Sequence, residues 1–126
     1  MGAATKTAPV DLLFRAFADR TRLRILHLLR GGGEVCVCDL QNVLRVPQAK
    51  VSRHLAYLRR AGLVRARKQG LWSYYTLAPA RDALHRKLLD CVATCFTDSP
   101  ELARDAARLK RCCGDAGRCC DDGAGL

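Results

Sequence analysis

Pro47 restricts the architecture more than any other residue in the chain. It lies between two apolar-periodic runs, residues 38–44 and 48–61. Proline excludes helical backbone from the residue before it and suits the first turn of a helix that follows. Two short helices separated by a tight Arg45-Val46-Pro47 break are therefore expected, not one long helix. In the first, Leu40, Val43 and Leu44 face inward. In the second, Val51, Leu55 and Leu58 recur at i, i+4 and i+7, and Gly62 ends the run. Residues 63–68 and 72–77 then read as strands, the second rich in Trp and Tyr, with the bend at Gln69-Gly70.

Helix, turn, helix and hairpin in that order make a winged helix-turn-helix, whose second helix docks in the major groove. Upstream, residues 10–18 carry Leu12, Leu13, Ala16 and Phe17 at helical spacing. Asp19 caps a second helix bearing Leu23, Ile25, Leu26, Leu28 and Leu29, which Gly31-Gly32-Gly33 stops. Downstream, Pro79 opens a longer helix to Phe96, with Leu84, Leu88, Cys91, Val92 and Cys95 on one stripe. Ser99-Pro100-Glu101 opens a last short helix to Lys110. The expected fold is mainly α with a small β-hairpin. Its parts are an N-terminal tail (1–9), a DNA-binding and dimerisation domain (10–97), and a short helix with a Cys-rich tail (98–126).

Charge gives the partner. The 126 residues hold 22 Lys+Arg against 12 Asp+Glu, a net +10. Such an excess selects polyanions, nucleic acid before anionic membrane. Between Leu40 and Arg81 there is no acidic residue, while Arg45, Lys50, Arg53, Arg59, Arg60, Arg65, Arg67, Lys68 and Arg81 all fall there. The exposed face of the 48–61 helix is expected to carry Gln48, Ala49, Lys50, Ser52, Arg53 and His54. Gln and Arg make bidentate contacts to base edges, and Ser and Lys serve phosphates or bases. Arg65, Arg67 and Lys68, placed near the hairpin tip, reach phosphate or the minor groove. One of the two hairpin faces, Ser73-Tyr75-Leu77 or Trp72-Tyr74-Thr76, packs inward, and alternation alone leaves open which. The partner expected is double-stranded operator DNA. No run approaches the roughly 18 apolar residues of a membrane span. Residues 1–9 have no apolar signal core. A cytoplasmic protein with no membrane partner is expected.

Several of these runs resemble the ArsR/SmtB family of metal-responsive repressors. Residues 17–26, Phe-Ala-Asp-Arg-Thr-Arg-Leu-Arg-Ile-Leu, are similar to its second-helix signature. Residues 34–40, Glu-Val-Cys-Val-Cys-Asp-Leu, resemble the metal motif of its arsenic repressors. Residues 51–55 and 58–64 resemble the recognition helix and its exit, and Arg67-Lys68-Gln69-Gly70 with Trp72 and Tyr75-Thr76-Leu77 resembles the wing. The resemblance spans about residues 10–78. It implies a homodimer joined through the first and fifth helices, and repression of a resistance operon that metal binding lifts.

The eight cysteines give the inducer. In a reducing compartment, clustered thiols more often bind metals or sense redox state than form structural disulfides. Thiolates suit soft, thiophilic ions, and As(III) or Sb(III), which favour three sulfurs in a pyramid, are the expected inducers. Cys36 and Cys38 begin the helix before the reader, where the helix N-terminus favours thiolate. The family motif often has a third cysteine where this chain has Gln41. Cys112, Cys113, Cys119 and Cys120 form a second set, and the first three match the pattern of family members with C-terminal sites. Either set, or one completing the other, can sense. Cys91 and Cys95 fall on an apolar stripe, where a free thiol packs as a small hydrophobe. Asp82 and His85 do not match the family's zinc spacing, and no histidine is assigned to metal. Cadmium or lead is an alternative inducer. The rivals from other classes are a thiol redox protein and a metal carrier. The first wants Cys-x-x-Cys beside a βαβ unit, and the second has no need of an acid-free basic segment. No catalytic residues are expected.

Overall fold

The computed structural model describes residues 9–94 and 98–113. Residues 1–8, Cys95, Cys119 and Cys120 lie outside the described residues, as does the expected helix end at Phe96. Helix α1 (Val10–Phe17) leads into α2 (Arg20–Gly32). Asp19 caps α2 as its sequence position implies: Oδ1 accepts the Arg22 backbone N–H at 3.1 Å. The glycine run does not stop α2 at Gly31. Buried Leu28 and Leu29 hold the last turn against a propensity cost of about 1 kcal/mol per glycine, and the chain turns at Gly33, whose φ is +69°.

Strand β1 (Val35–Cys36) comes next and is absent from the sequence expectation. Two residues are too few to show alternation. Helices α3 (Val37–Leu44) and α4 (Gln48–Arg60) follow, then strands β2 (Val64–Gln69) and β3 (Trp72–Leu77). Between α3 and α4, Arg45 adopts the left-handed conformation (φ 59°, ψ 45°) and its N–H bonds to Gln41 O. Gly70, with φ +62°, opens the two-residue turn that the Gln69↔Trp72 register requires. The wing is not an isolated hairpin. The sheet order is β1-β3-β2, with Val35↔Tyr75 and Cys36↔Tyr74 paired antiparallel.

Helix α5 (Ala83–Thr94) begins at Ala83, not at Pro79. Asp82 Oδ1 takes the His85 N–H at 2.9 Å, so the carboxylate sets the start and Pro79 stays in the connection. Helix α6 (Pro100–Cys113) runs past the expected end at Lys110. Cys112 and Cys113 are therefore its last residues, not part of a loop. The extension is anchored by Leu102, Asp105 and Leu109, all buried.

One core joins these elements. Leu13 and Ala16 of α1, Ile25 and Leu26 of α2, Leu40 of α3, Val51, Leu55 and Leu58 of α4, Leu89 of α5 and Leu109 of α6 all contribute to it. The wing packs on both faces: Tyr75 and Leu77 lie on this core, while Tyr74 and Trp72 pack on Cys36 and Cys38.

Candidate functional site

The outer face of α4, the helix expected to be the reader, is exposed and carries polar and basic residues. Gln48, Ala49, Lys50, Ser52 and Arg53 are exposed, while Val51, Leu55 and Leu58 bind the opposite face to the core. Pro47 stands at the N-cap without a side-chain cap bond, and its carbonyl takes the Lys50 and Val51 N–H groups at 2.9 and 3.1 Å.

His54 is not on that face, contrary to the sequence expectation. Its side chain is only 18% exposed. Nδ1 lies 3.3 Å from Arg22 Nη1 and 3.9 Å from Asp19 Oδ1. Burial, with the Arg22, Arg53 and Lys50 cations, holds the imidazole below its usual pKa against the pull of Asp19. A neutral ring then accepts a hydrogen bond from Arg22 at Nδ1. Arg22 also donates to Ala16 O (3.1 Å) and Arg15 O (2.9 Å) and lies over the Tyr57 ring at 4.1 Å. This one guanidinium ties the reader to the α1–α2 junction. Sequence reasoning missed it; the available signal was an arginine three residues after the Asp19 cap.

The wing residues divide. Arg65 and Lys68 are exposed on β2. Arg65 pairs with Thr76 and sits toward the root of the hairpin, and Lys68 pairs with Ser73 near its turn. The tip itself is Gly70-Leu71, with Leu71 93% exposed. Arg67 is committed elsewhere. Its Nε and Nη2 bond both Glu34 carboxylate oxygens at 2.7 and 2.8 Å, Nη1 bonds Gln69 Oε1 at 2.7 Å, and its cation lies 4.7 Å from the Tyr74 ring centre.

Tyr74 in turn covers the cysteine pair. Cys36 is the N-cap of α3, with extended backbone, and is fully buried. Cys38 is half-buried in the first turn. Their sulfurs are 3.4 Å apart, in contact and well beyond the roughly 2.05 Å of a disulfide bond. A metal–thiolate bond of about 2.3 Å lets one ion bridge sulfurs at this separation. Among the described residues, no group of three His, Cys, Asp or Glu converges on a common point. Cys91 is half-buried on α5.

The segment carrying both features has known relatives. A family model described as "Bacterial regulatory protein, arsR family" matches residues 19–66. The arsenical resistance operon repressor of Escherichia coli (strain K12) is 44% identical over 109 residues, covering 86% of this chain and 92% of that protein. The chain belongs to the ArsR family. Solved structures agree. HlyU from Vibrio cholerae N16961 superposes with a TM-score of 0.59 at 32% identity, covering 75% of this chain and 95% of that one. The antimony-specific repressor AntR superposes with a TM-score of 0.58 at 30% identity, covering 73% and 79%. This ArsR-family protein is a helix-turn-helix transcriptional repressor and not an enzyme. Among the described residues no helix is long and apolar enough to cross a membrane.

In this repressor the C-terminal helix, beyond the matched segment, is fastened to the turn before the reader. Arg24 forms a two-point ion pair with Asp105 at 2.7 and 2.9 Å and also donates to Leu44 O at 3.3 Å. Arg108 donates to Val43 O at 3.0 Å. Two carbonyls at the end of α3, orphaned by helix geometry, are thereby satisfied by arginines of α2 and α6. The pairing spans most of the chain, and no local pattern announces it.

Proposed function

We propose that this repressor binds operator DNA as a homodimer in the cytoplasm and is released by As(III) or Sb(III) taken up on cysteine thiolates. The observation that carries the reading is the Cys36–Cys38 sulfur contact of 3.4 Å, at the start of α3 and beneath the wing. Relatives named for arsenical resistance and for antimony support the choice of inducer.

Gln48, Lys50, Ser52 and Arg53 read the groove in this account, and Arg65 and Lys68 hold phosphates. His54 and Arg67 position the reader and the wing instead. Val10 and Phe14, exposed one turn apart on α1, offer an apolar face for the dimer. Cys112 and Cys113 at the end of α6, with Cys119 and Cys120 beyond, form the second thiolate set.

A trivalent metalloid supplies strong, directional bonds to sulfur. Each sulfur would replace one hydroxide of arsenous acid, and that hydroxide with the proton shed by the thiol would leave as water. Among the described residues no third ligand joins the pair, so closing a three-sulfur shell over Cys36 and Cys38 pulls on β1 and the first turn of α3. Both cysteines are packed against Tyr74, so strain at the pair passes to β3 as well as to the α3–α4 unit. A ligand shifts an equilibrium only by its differential affinity for the two states, and the DNA-bound arrangement is the one these contacts fix.

The test is arsenite titration of the protein on a labelled operator duplex, followed by anisotropy, beside Cys36→Ser/Cys38→Ser. Release of the parent and retention of the variant assigns the switch to this pair. Release of both assigns it to the C-terminal cysteines. Retention of both overturns metalloid sensing.

A further inference from the structure

A hollow of about 250 Å³ opens beside the α3–α4 turn, lined by Asn42, Val43, Arg45, Arg108 and Arg111. Three of these are arginines and one is a primary amide. Among the described residues, no carboxylate forms an ion pair with Arg45, Arg108 or Arg111. The nearby Asp105 is occupied by Arg24. Burial and the surrounding Arg45, Arg104 and Arg24 cations press the Arg108 guanidinium below its usual pKa, with Asp105 opposing. Positive charge gathered without a matching acid is held at some cost, and an anion relieves it.

We propose that this hollow seats a backbone phosphate of the operator, so that α6 extends the DNA footprint beyond the reader and the wing. Guanidinium forks match phosphate oxygens in geometry and charge. The place fits: Arg45 precedes the first turn of α4 by only Val46 and Pro47, so a duplex engaged by Gln48 and Lys50 passes close to it. Arg45 is fixed by its left-handed backbone and its bond to Gln41 O. Arg108 is fixed by Val43 O, which uses one of five guanidinium donors. Arg111 is exposed and completes the rim. The partner is the sugar–phosphate strand flanking the bases that α4 reads, contacted without regard to sequence.

The inference rests on DNA docking by α4, and the experiment separates the two. Full-length protein carrying Arg111→Ala, and separately Arg45→Asn/Arg111→Ala, is titrated onto operator and scrambled duplexes over a range of KCl. Each lost phosphate contact lowers the salt slope by about 0.9, hence by about two for a dimer losing one per protomer. Affinity falls several-fold on both duplexes, and the ratio between them holds. Lys87→Ala, an exposed cation on α5, leaves the slope unchanged. Arg111→Ala removes an exposed side chain, so it remains informative if the double variant folds poorly. An unchanged slope in Arg111→Ala, with Arg53→Ala still losing operator preference, overturns this inference alone. If Arg53→Ala keeps its preference too, the docking of α4 falls with it.

Discussion

Glu34 and Arg67 meet through two parallel hydrogen bonds, 2.7 and 2.8 Å long, and so join the approach to the cysteine pair to the middle of the wing. Arg67 also faces Tyr74 across the sheet, and Tyr74 is the strand partner of Cys36. The cysteine pair and the wing therefore share one set of contacts.

Cutting this link should uncouple sensing from release. Both side chains are partly exposed, and solvent screens such a pair, so it adds little to stability. Glu34→Gln is expected to melt like the parent and to bind operator within a few-fold of it. Its arsenite midpoint for DNA release should rise several-fold. Anisotropy titrations in both directions measure this. An unchanged midpoint would show that the signal leaves the cysteines through α3 alone.

The Arg24–Asp105 pair should behave differently, because it is buried: Asp105 is 1% and Arg24 13% exposed in their side chains. Asp105→Ala leaves Arg24 only the longer contact with Glu101, 3.8 Å away, and its bond to Leu44 O, and is expected to cost about 2–3 kcal/mol. Arg24→Met/Asp105→Leu removes both charges and should recover much of that loss. Removing Asp90 from its exposed pair with Arg30 should cost less than about 1 kcal/mol. Urea melts of the four proteins decide it. Equal losses at Asp105 and Asp90 would mean that α6 is not anchored through Arg24.

Much of this architecture was legible because its signals are local. The Pro47 break, the Val51-Leu55-Leu58 stripe and the Trp/Tyr-rich strand each declare their own element. What these signals left out depends on contacts that only the fold supplies, most of them between distant residues. His54 belongs by spacing to the edge of the outer face, but Arg22 and Asp19 draw it inward. Arg67 looks like a free wing cation until Glu34 is brought beside it. Asp82, not Pro79, starts α5, since a side-chain acceptor at the cap outweighs a permissive proline. Strand β1 exists only because β3 is there to pair with it. Of the cysteine sites, the Cys36–Cys38 proximity followed from the motif, while the helical placement of Cys112 and Cys113 depended on Leu109 finding the core.

Acid should loosen the fold through its histidines. Burial lowers the pKa of His85, with Asp82 opposing and Arg81 assisting. His54 is lowered for the reasons given above. A group whose folded pKa lies below its unfolded value contributes stability above the unfolded value, here near 6.5. That contribution is lost as pH falls through the folded value. Stability should therefore be flat above about pH 7 and decline below about 6.5. Asp19 adds a later loss. Burial pushes its carboxyl up, but the Arg22 N–H, His54 and the Arg22 cation outweigh this and hold it below the usual carboxylate value. His85→Asn should flatten the first decline, as urea melts at a series of pH values will report. A decline of the same steepness in that variant would place the titrating group elsewhere.

The reader and the wing together make the sharpest separation, because Arg53, Lys68 and His54 should fail in three ways. Arg53 is exposed on the outer face of α4, so Arg53→Ala should lose about 1–3 kcal/mol on operator and less on scrambled duplex. Lys68 is exposed near the wing turn, so Lys68→Ala should lose affinity equally on both and lower the salt slope by about one per contact. His54 touches Arg22 and Asp19. His54→Gln restores a hydrogen-bond acceptor toward Arg22 and should keep the operator-to-scrambled ratio of the parent. His54→Ala leaves Arg22 short of a partner. It should lower the melting temperature and weaken both duplexes together, because the whole helix shifts while its base-facing side chains stay intact. The measurement is one set of paired titrations with a thermal melt of each variant. A selective loss on operator in His54→Gln would put the imidazole in the groove after all, and the Arg22 contact would then belong only to the DNA-free protein.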